Sequence, residues 1–218
     1  MDDLTLRGRA RRLARGLALL YPDARCALDH DGPLQLLVAT ILSAQCTDVL
    51  VNKITPALFA RYPTAADYAT ADPAELETFV RRTNYFRNKA KNLILCCQQI
   101  VERHGGEVPD SMDDLVALTG VGRKTANVVL SNCFDVPGIP VDTHVARLSQ
   151  RMGLTLHTDP VRIESDLNSL LPRREWTMFG KRMIYHGRQV CHARKPNCEG
   201  CTLIASCAQA GVASRAAE

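Results

Sequence analysis

Lys124 and Asp142 are the side chains of this chain best placed by their neighbours to do chemistry. Lys124 lies in Leu118-Thr119-Gly120-Val121-Gly122-Arg123-Lys124-Thr125-Ala126-Asn127-Val128-Val129-Leu130. Gly120 and Gly122 flank one valine where an apolar helix ends and another begins, so the backbone turns tightly and leaves its N–H groups uncovered. Those groups open the next helix at its positive end, which makes the turn a site for phosphate. An amine attacks only when neutral, and partial burial beside a helix N-terminus favours that form, so Lys124 is expected to be partly buried. Attack at a sugar C1′ displaces a base and forms a Schiff base, which permits β-elimination of the 3′ phosphate. Asp142 follows the Pro137-Gly138-Ile139-Pro140 loop within Val141-Asp142-Thr143-His144. As an anion it stabilises positive charge developing on deoxyribose or helps position a proton acceptor. The same pair also admits a plainer reading, in which Lys124 touches a phosphate and Asp142 caps its helix. Hairpin, lysine and carboxylate together point to chemistry on a nucleic acid.

Nine cysteines are unevenly spread, and four of them crowd the C-terminal part as Cys191-x6-Cys198-x2-Cys201-x5-Cys207. The Arg-rich N-terminus has no apolar signal region and reads as an amphipathic helix, with Leu6, Ala10, Leu13, Leu17 and Leu20 on one face. A reduced cytoplasm follows, where clustered cysteines bind metal rather than form disulfides. The spacing does not match the paired zinc pattern and favours a [4Fe–4S] cluster over one tetrahedral zinc, and either over four unliganded thiols; the cluster can serve simply to fix a loop. His192, Arg194 and Lys195 lie between the first two ligands. Pinned there, they lose less entropy on meeting phosphate; the alternative is a solvated basic loop.

At 218 residues, with 46% hydrophobic content and a formal charge of +4, the chain suits one large core or two small domains, and no segment approaches a membrane span. Helical signals dominate and no strand alternation is sustained, so the fold class is all-α. Leu34 to Ser43 is an apolar run, and Pro56 is read as opening a new helix within Asp48 to Arg61. Asp72-Pro73 starts a helix to Arg81, Asn88 to His104 is helical up to Gly105-Gly106, and Ser111 with Asp114 makes a variant capping box. The later helices run from Asp142 to Met152, from Asp159-Pro160 to before Pro172, and from Glu175 to Cys191.

Leu118 to Leu130, Val141 to His144 and the four-cysteine spacing, with Leu42-Ser43-Ala44-Gln45 and Arg87-Asn88-Lys89-Ala90, resemble the endonuclease III family of DNA glycosylase/AP lyases. The similarity runs from about Leu34 to Cys207. It implies a helix–hairpin–helix glycosylase fold of two all-α domains with a DNA cleft between them. One is a six-helix barrel over 26–136 with the helix–hairpin–helix motif at about 112–131. The other is a discontinuous iron–sulfur domain of 1–25 and 137–218. It implies Lys124 as Schiff-base nucleophile, Asp142 as carboxylate, Gly120-Val121-Gly122 and Arg123 at phosphate, and Gln45 in the gap left by a flipped nucleotide. Tyr85, His144, Arg147, Arg194 and Lys195 complete the expected DNA contacts, and Cys191, Cys198, Cys201 and Cys207 the cluster ligands. The implied substrates are oxidised or ring-saturated pyrimidines and abasic sites in double-stranded DNA. The implied protein is a cytoplasmic monomer without membrane contact, nucleoid-associated if prokaryotic.

The chain departs from the family pattern at several positions. Thr119 stands where proline is common, at some loss of rigidity, and Thr83-Asn84-Tyr85 stands where Ile-Gly-Leu is frequent. Tyr85 is thus expected to stack on the orphan base, and Asn84 to stiffen its loop. Cys46 replaces an alanine and Asn197 a basic residue, which removes one phosphate contact. The competing readings are a monofunctional mismatch or adenine glycosylase of the same superfamily and a damage-binding homologue with little catalysis.

Overall fold

The computed structural model describes residues 3–212, and all regular structure among them is helical. The chain divides into two compact units, Met1–Arg25 with Pro137–Glu218, and Cys26–Val136.

The first unit begins with α1 (Asp3–Leu20), which buries Ala10, Leu13 and Leu17 completely, while Leu20, expected on the same stripe, is 39% exposed where the helix ends. The contiguous unit holds α2 (Pro33–Leu42), α3 (Asp48–Arg61), α4 (Ala65–Ala69), α5 (Pro73–Val80), α6 (Phe86–His104), α7 (Met112–Val116) and α8 (Arg123–Cys133). Leu36 to Leu42 are all buried, so α2 is apolar on every side and forms the centre of this unit's core, with α8 packed against it. Pro56 does not open a helix; it lies inside α3. Its ring faces solvent, where water can take the carbonyl that proline leaves without an N–H partner. The reciprocal capping box sits at Thr64 and Asp67, on the short α4. At Ser111 the hydroxyl accepts from the Asp114 N–H at 3.2 Å, but the carboxylate takes the serine hydroxyl at 2.6 Å instead of returning to the backbone.

The first unit resumes with α9 (Thr143–Arg151), α10 (Pro160–Leu170) and α11 (Trp176–Gln189), the last preceded by a single 3-10 turn at Arg173–Glu175. Ile139, Val145, Leu148, Ile163, Leu167, Phe179 and Met183 close its core around the apolar face of α1. Among the described residues, no helix is long and apolar enough to cross a membrane.

Candidate active site and cysteine centre

The turn between α7 and α8 uses its two glycines differently. Gly120 has φ +81°, and a Cβ there would lie 3.2 Å from Asn92 Cβ, so both conformation and space demand glycine. Gly122 is the N-cap of α8 at φ −93°, and a Cβ there would meet nothing within 4 Å. Its glycine leaves the helix end open to an approaching group. Gly122 itself brings no side chain to cap this N-terminus. Val121 is buried and its N–H donates to the Leu118 carbonyl at 3.1 Å, so the predicted phosphate contact loses this donor to the turn. Thr119 donates its N–H to Gln99 Oε1 at 2.7 Å, a bond proline lacks, which restores rigidity at that position.

Arg123 and Lys124 are the first two residues of α8, and both are exposed. The expected partial burial of Lys124 is not found: the second position of this helix projects from the unit, not into its core.

Asp142 is the N-cap of α9, as the plainer reading has it. Its Oδ1 accepts from the backbone N–H groups of His144 and Val145, each at 2.8 Å. Its Oδ2 makes no hydrogen bond among the described residues. The cap fixes the carboxylate and leaves one oxygen for chemistry.

His144 and Arg147, expected to face DNA, are engaged inside the protein. Arg147 Nη2 donates to the carbonyls of Gly187 at 3.1 Å and Cys191 at 3.0 Å, and lies 3.1 Å from His144 Nδ1. Since arginine only donates, His144 Nδ1 accepts there. Burial holds His144 below the usual histidine range; Arg147 and Arg188 push the same way, against the pull of Asp142. One turn on, Arg151 donates to the carbonyls of His192 at 2.7 Å and Ala193 at 2.6 Å, and to Cys191 Sγ at 3.4 Å. The sequence reading missed this pair. Two arginines four apart on one helix, ahead of a cysteine loop, were the available signal.

Cys191, Cys198, Cys201 and Cys207 line one cavity, with Met152, Val190, Leu203 and His186 in its wall. Among the described residues, no group of three or more His, Cys, Asp or Glu side chains is set to hold a metal ion. Burial raises the thiols of Cys201 and Cys207, and the neighbouring thiolates of the set raise them further. Four cysteine sulfurs around one cavity are the donor set that an iron–sulfur cluster takes, and the residues present fit one. His186 is buried and held down at about 4 by that burial; Tyr21 Oη lies 3.1 Å from its Nδ1, and Cys201 Sγ lies 3.6 Å from its Nε2. Arg194 and Lys195 are exposed on the loop. Asn197 braces the next turn, its Oδ1 accepting from the Gly200 N–H at 3.2 Å.

Gln45 and Tyr85 are both exposed and both left-handed, at φ 55° and 57°. Asn84 Nδ2 donates to the Gln45 carbonyl at 2.7 Å, and the Asn84 N–H to Cys46 Sγ at 3.2 Å. Buried Lys89 donates to the carbonyls of Leu42 and Ala44, each at 2.7 Å, and to Cys46 Sγ at 3.5 Å.

Residues 38–173 match the model of the HhH-GPD superfamily of base excision DNA repair proteins. An endonuclease III of Synechocystis sp. is 56% identical over 203 residues, which are 93% of each chain. That of Bacillus subtilis is 45% identical over 189 residues, 86% of each. A solved structure of a trapped endonuclease III–DNA covalent intermediate superposes with a TM-score of 0.89 at 44% identity, over 93% of this chain and 96% of that one. With the hairpin, the capped aspartate and the cysteine cavity in place, the chain belongs to the HhH-GPD superfamily of base excision DNA repair proteins and, within it, to the endonuclease III family.

Proposed function

We propose that this base excision repair enzyme, a DNA glycosylase and AP lyase, removes oxidised pyrimidines from double-stranded DNA and cuts 3′ to the abasic site through Lys124. One observation carries the reading: Lys124 is exposed at the second position of a helix whose N-cap is a glycine, with no side chain of its own to spend on the helix end. A strand phosphate taken by that N-terminus brings the neighbouring deoxyribose within reach of the amine. The relative trapped as a covalent intermediate with DNA supports a covalent route.

In this reaction Lys124 Nζ attacks C1′, and the glycosidic bond breaks. The base leaves with the bonding pair and takes up a proton. Nζ then loses its two protons and the C1′–O4′ bond breaks, O4′ keeping the pair and taking up a proton, which gives the imine C1′=Nζ. Removal of a C2′ proton then sends its electrons into a new C2′=C3′ bond, and the 3′ phosphate departs. Water hydrolyses the imine and frees Lys124. Asp142, with Oδ1 spent on the helix, uses Oδ2 to stabilise positive charge on the sugar or to help position a proton acceptor.

A base within the stack is unreachable, so the nucleotide must flip out. Gln45 fills the gap and Tyr85 stacks on the orphan base. Gly120, Gly122, Arg123, Arg194 and Lys195 hold phosphates. Cys191, Cys198, Cys201 and Cys207 would hold a [4Fe–4S] cluster, whose iron–thiolate bonds tie the segment from Cys191 to Cys207 together. The enzyme works as a monomer on chromosomal DNA in the cytoplasm.

Borohydride trapping on duplexes carrying one abasic site or one thymine glycol tests the reading. An adduct on both that Lys124→Ala abolishes is the expected result. An adduct on the abasic duplex alone would remove the pyrimidine glycosylase and keep the lyase. Binding without any adduct would overturn the Schiff-base route.

A further inference from the structure

Four described residues other than glycine have positive φ, and two of them, Gln45 and Tyr85, lie in different loops of the contiguous unit joined through one residue. Holding a glutamine and a tyrosine in the left-handed region costs about 1 kcal/mol or more each, and such outliers persist where the surroundings over-determine them. Here the surroundings are visible. Lys89, 6% exposed on α6, meets three acceptors on residues 42, 44 and 46 with the three donors of an ammonium, and so fixes the loop that follows α2. Asn84 then bonds that loop twice, with its carboxamide to the Gln45 carbonyl and with its own N–H to Cys46 Sγ. Tyr85 is the next residue, 64% exposed and without a ring partner among the described residues. Neither side chain is spent on the protein, while both backbones are tied down.

We propose that Asn84, anchored through Cys46 and Lys89, is a positioning residue that locks Gln45 and Tyr85 into one two-pronged insert. Gap filling and stacking on the opposite base then occur as a single event. This rests on the functional reading above and adds the coupling between its two contacts. A glycine at 84 lacks the carboxamide, so the link between the Gln45 carbonyl and the Tyr85 loop is a property of this chain's own departure from the family pattern. Two prongs on independent loops would each lose ordering entropy on entering DNA, whereas a bonded pair has lost much of it beforehand.

The test is a double-mutant cycle with the full-length protein on a duplex carrying a tetrahydrofuran abasic-site analogue, with 2-aminopurine as the opposite base. Binding and 2-aminopurine fluorescence are the two readouts. Gln45→Ala and Tyr85→Ala are each expected to weaken binding about tenfold, with the double variant little worse than the weaker single. Asn84→Asp keeps the shape and removes the donors. It is expected to weaken binding by about threefold to tenfold at unchanged melting temperature, to shift the fluorescence, and to make the two alanine losses multiply. Losses that already multiply in the parent chain, with Asn84→Asp without effect, overturn the link and leave the site reading standing. If neither Gln45→Ala nor Tyr85→Ala moves binding or fluorescence, the link and the DNA contacts assigned to both residues fall together.

Discussion

Two helix N-termini, those of α8 and α9, are built on the same principle and finished in opposite ways. Each concentrates unpaired N–H groups and a positive dipole end. At α9 the chain supplies its own anion, since Asp142 accepts two N–H bonds at 2.8 Å. At α8 the cap is Gly122, which supplies nothing and leaves open space above its Cα. A filled end holds its carboxylate in place. A glycine-capped end leaves room, which the proposed function gives to a strand phosphate. The pair teaches that an N-cap residue is also a choice of ligand, internal or external.

The contrast can be attacked from either end. Asp142→Asn keeps an oxygen for the cap and removes the charge. Glycosylase turnover is expected to fall about 10²–10³-fold while the melting curve hardly moves. A loss of turnover matched by unfolding would instead mean that Asp142 serves only its helix. Gly122→Asp turns the empty end into a filled one. Binding to an abasic-analogue duplex is expected to weaken about tenfold, and the slope of log K against log salt to fall by about one, with stability raised by a few tenths of a kcal/mol. Unchanged salt dependence in that variant would remove the phosphate from α8. The smallest effect is expected at Gly120→Ala. A left-handed alanine against Asn92 costs about 1 kcal/mol, a lowering of Tm by a few degrees that calorimetry resolves. A variant as stable as the parent would show that the turn can relax.

What was legible in the sequence was local. Gly120 and Gly122, the cap at Asp142 and the spacing of the last four cysteines each speak through near neighbours, and the all-α class follows from helical periodicity. Thr64-x-x-Asp67 is equally local, but the helix it caps is only five residues long and too short to show a periodicity of its own. The rest depends on partners far along the chain. Nothing near Lys89 in the chain announces that Leu42 and Ala44, more than forty residues away, turn their carbonyls towards it. Arg147 reads as a DNA contact until Cys191 claims its guanidinium. The same local argument expects Lys124 to be partly buried, and the second position of α8 leaves it exposed.

The hydrogen bond between Tyr21 and His186 spans 165 residues of chain. The contiguous unit has all its parts once Val136 has been synthesised, and can fold while translation continues. The first helix has no such option. Its stripe of Ala10, Leu13 and Leu17 is made early, and its partners on α11 arrive about 165 residues later, which at ribosomal speed is roughly 10–30 s. During that interval the segment made first must be sheltered or kept in solution. Its arginines at 7, 11, 12 and 15, which contribute little to the finished core, are then the groups that delay its collapse and aggregation on the ribosome.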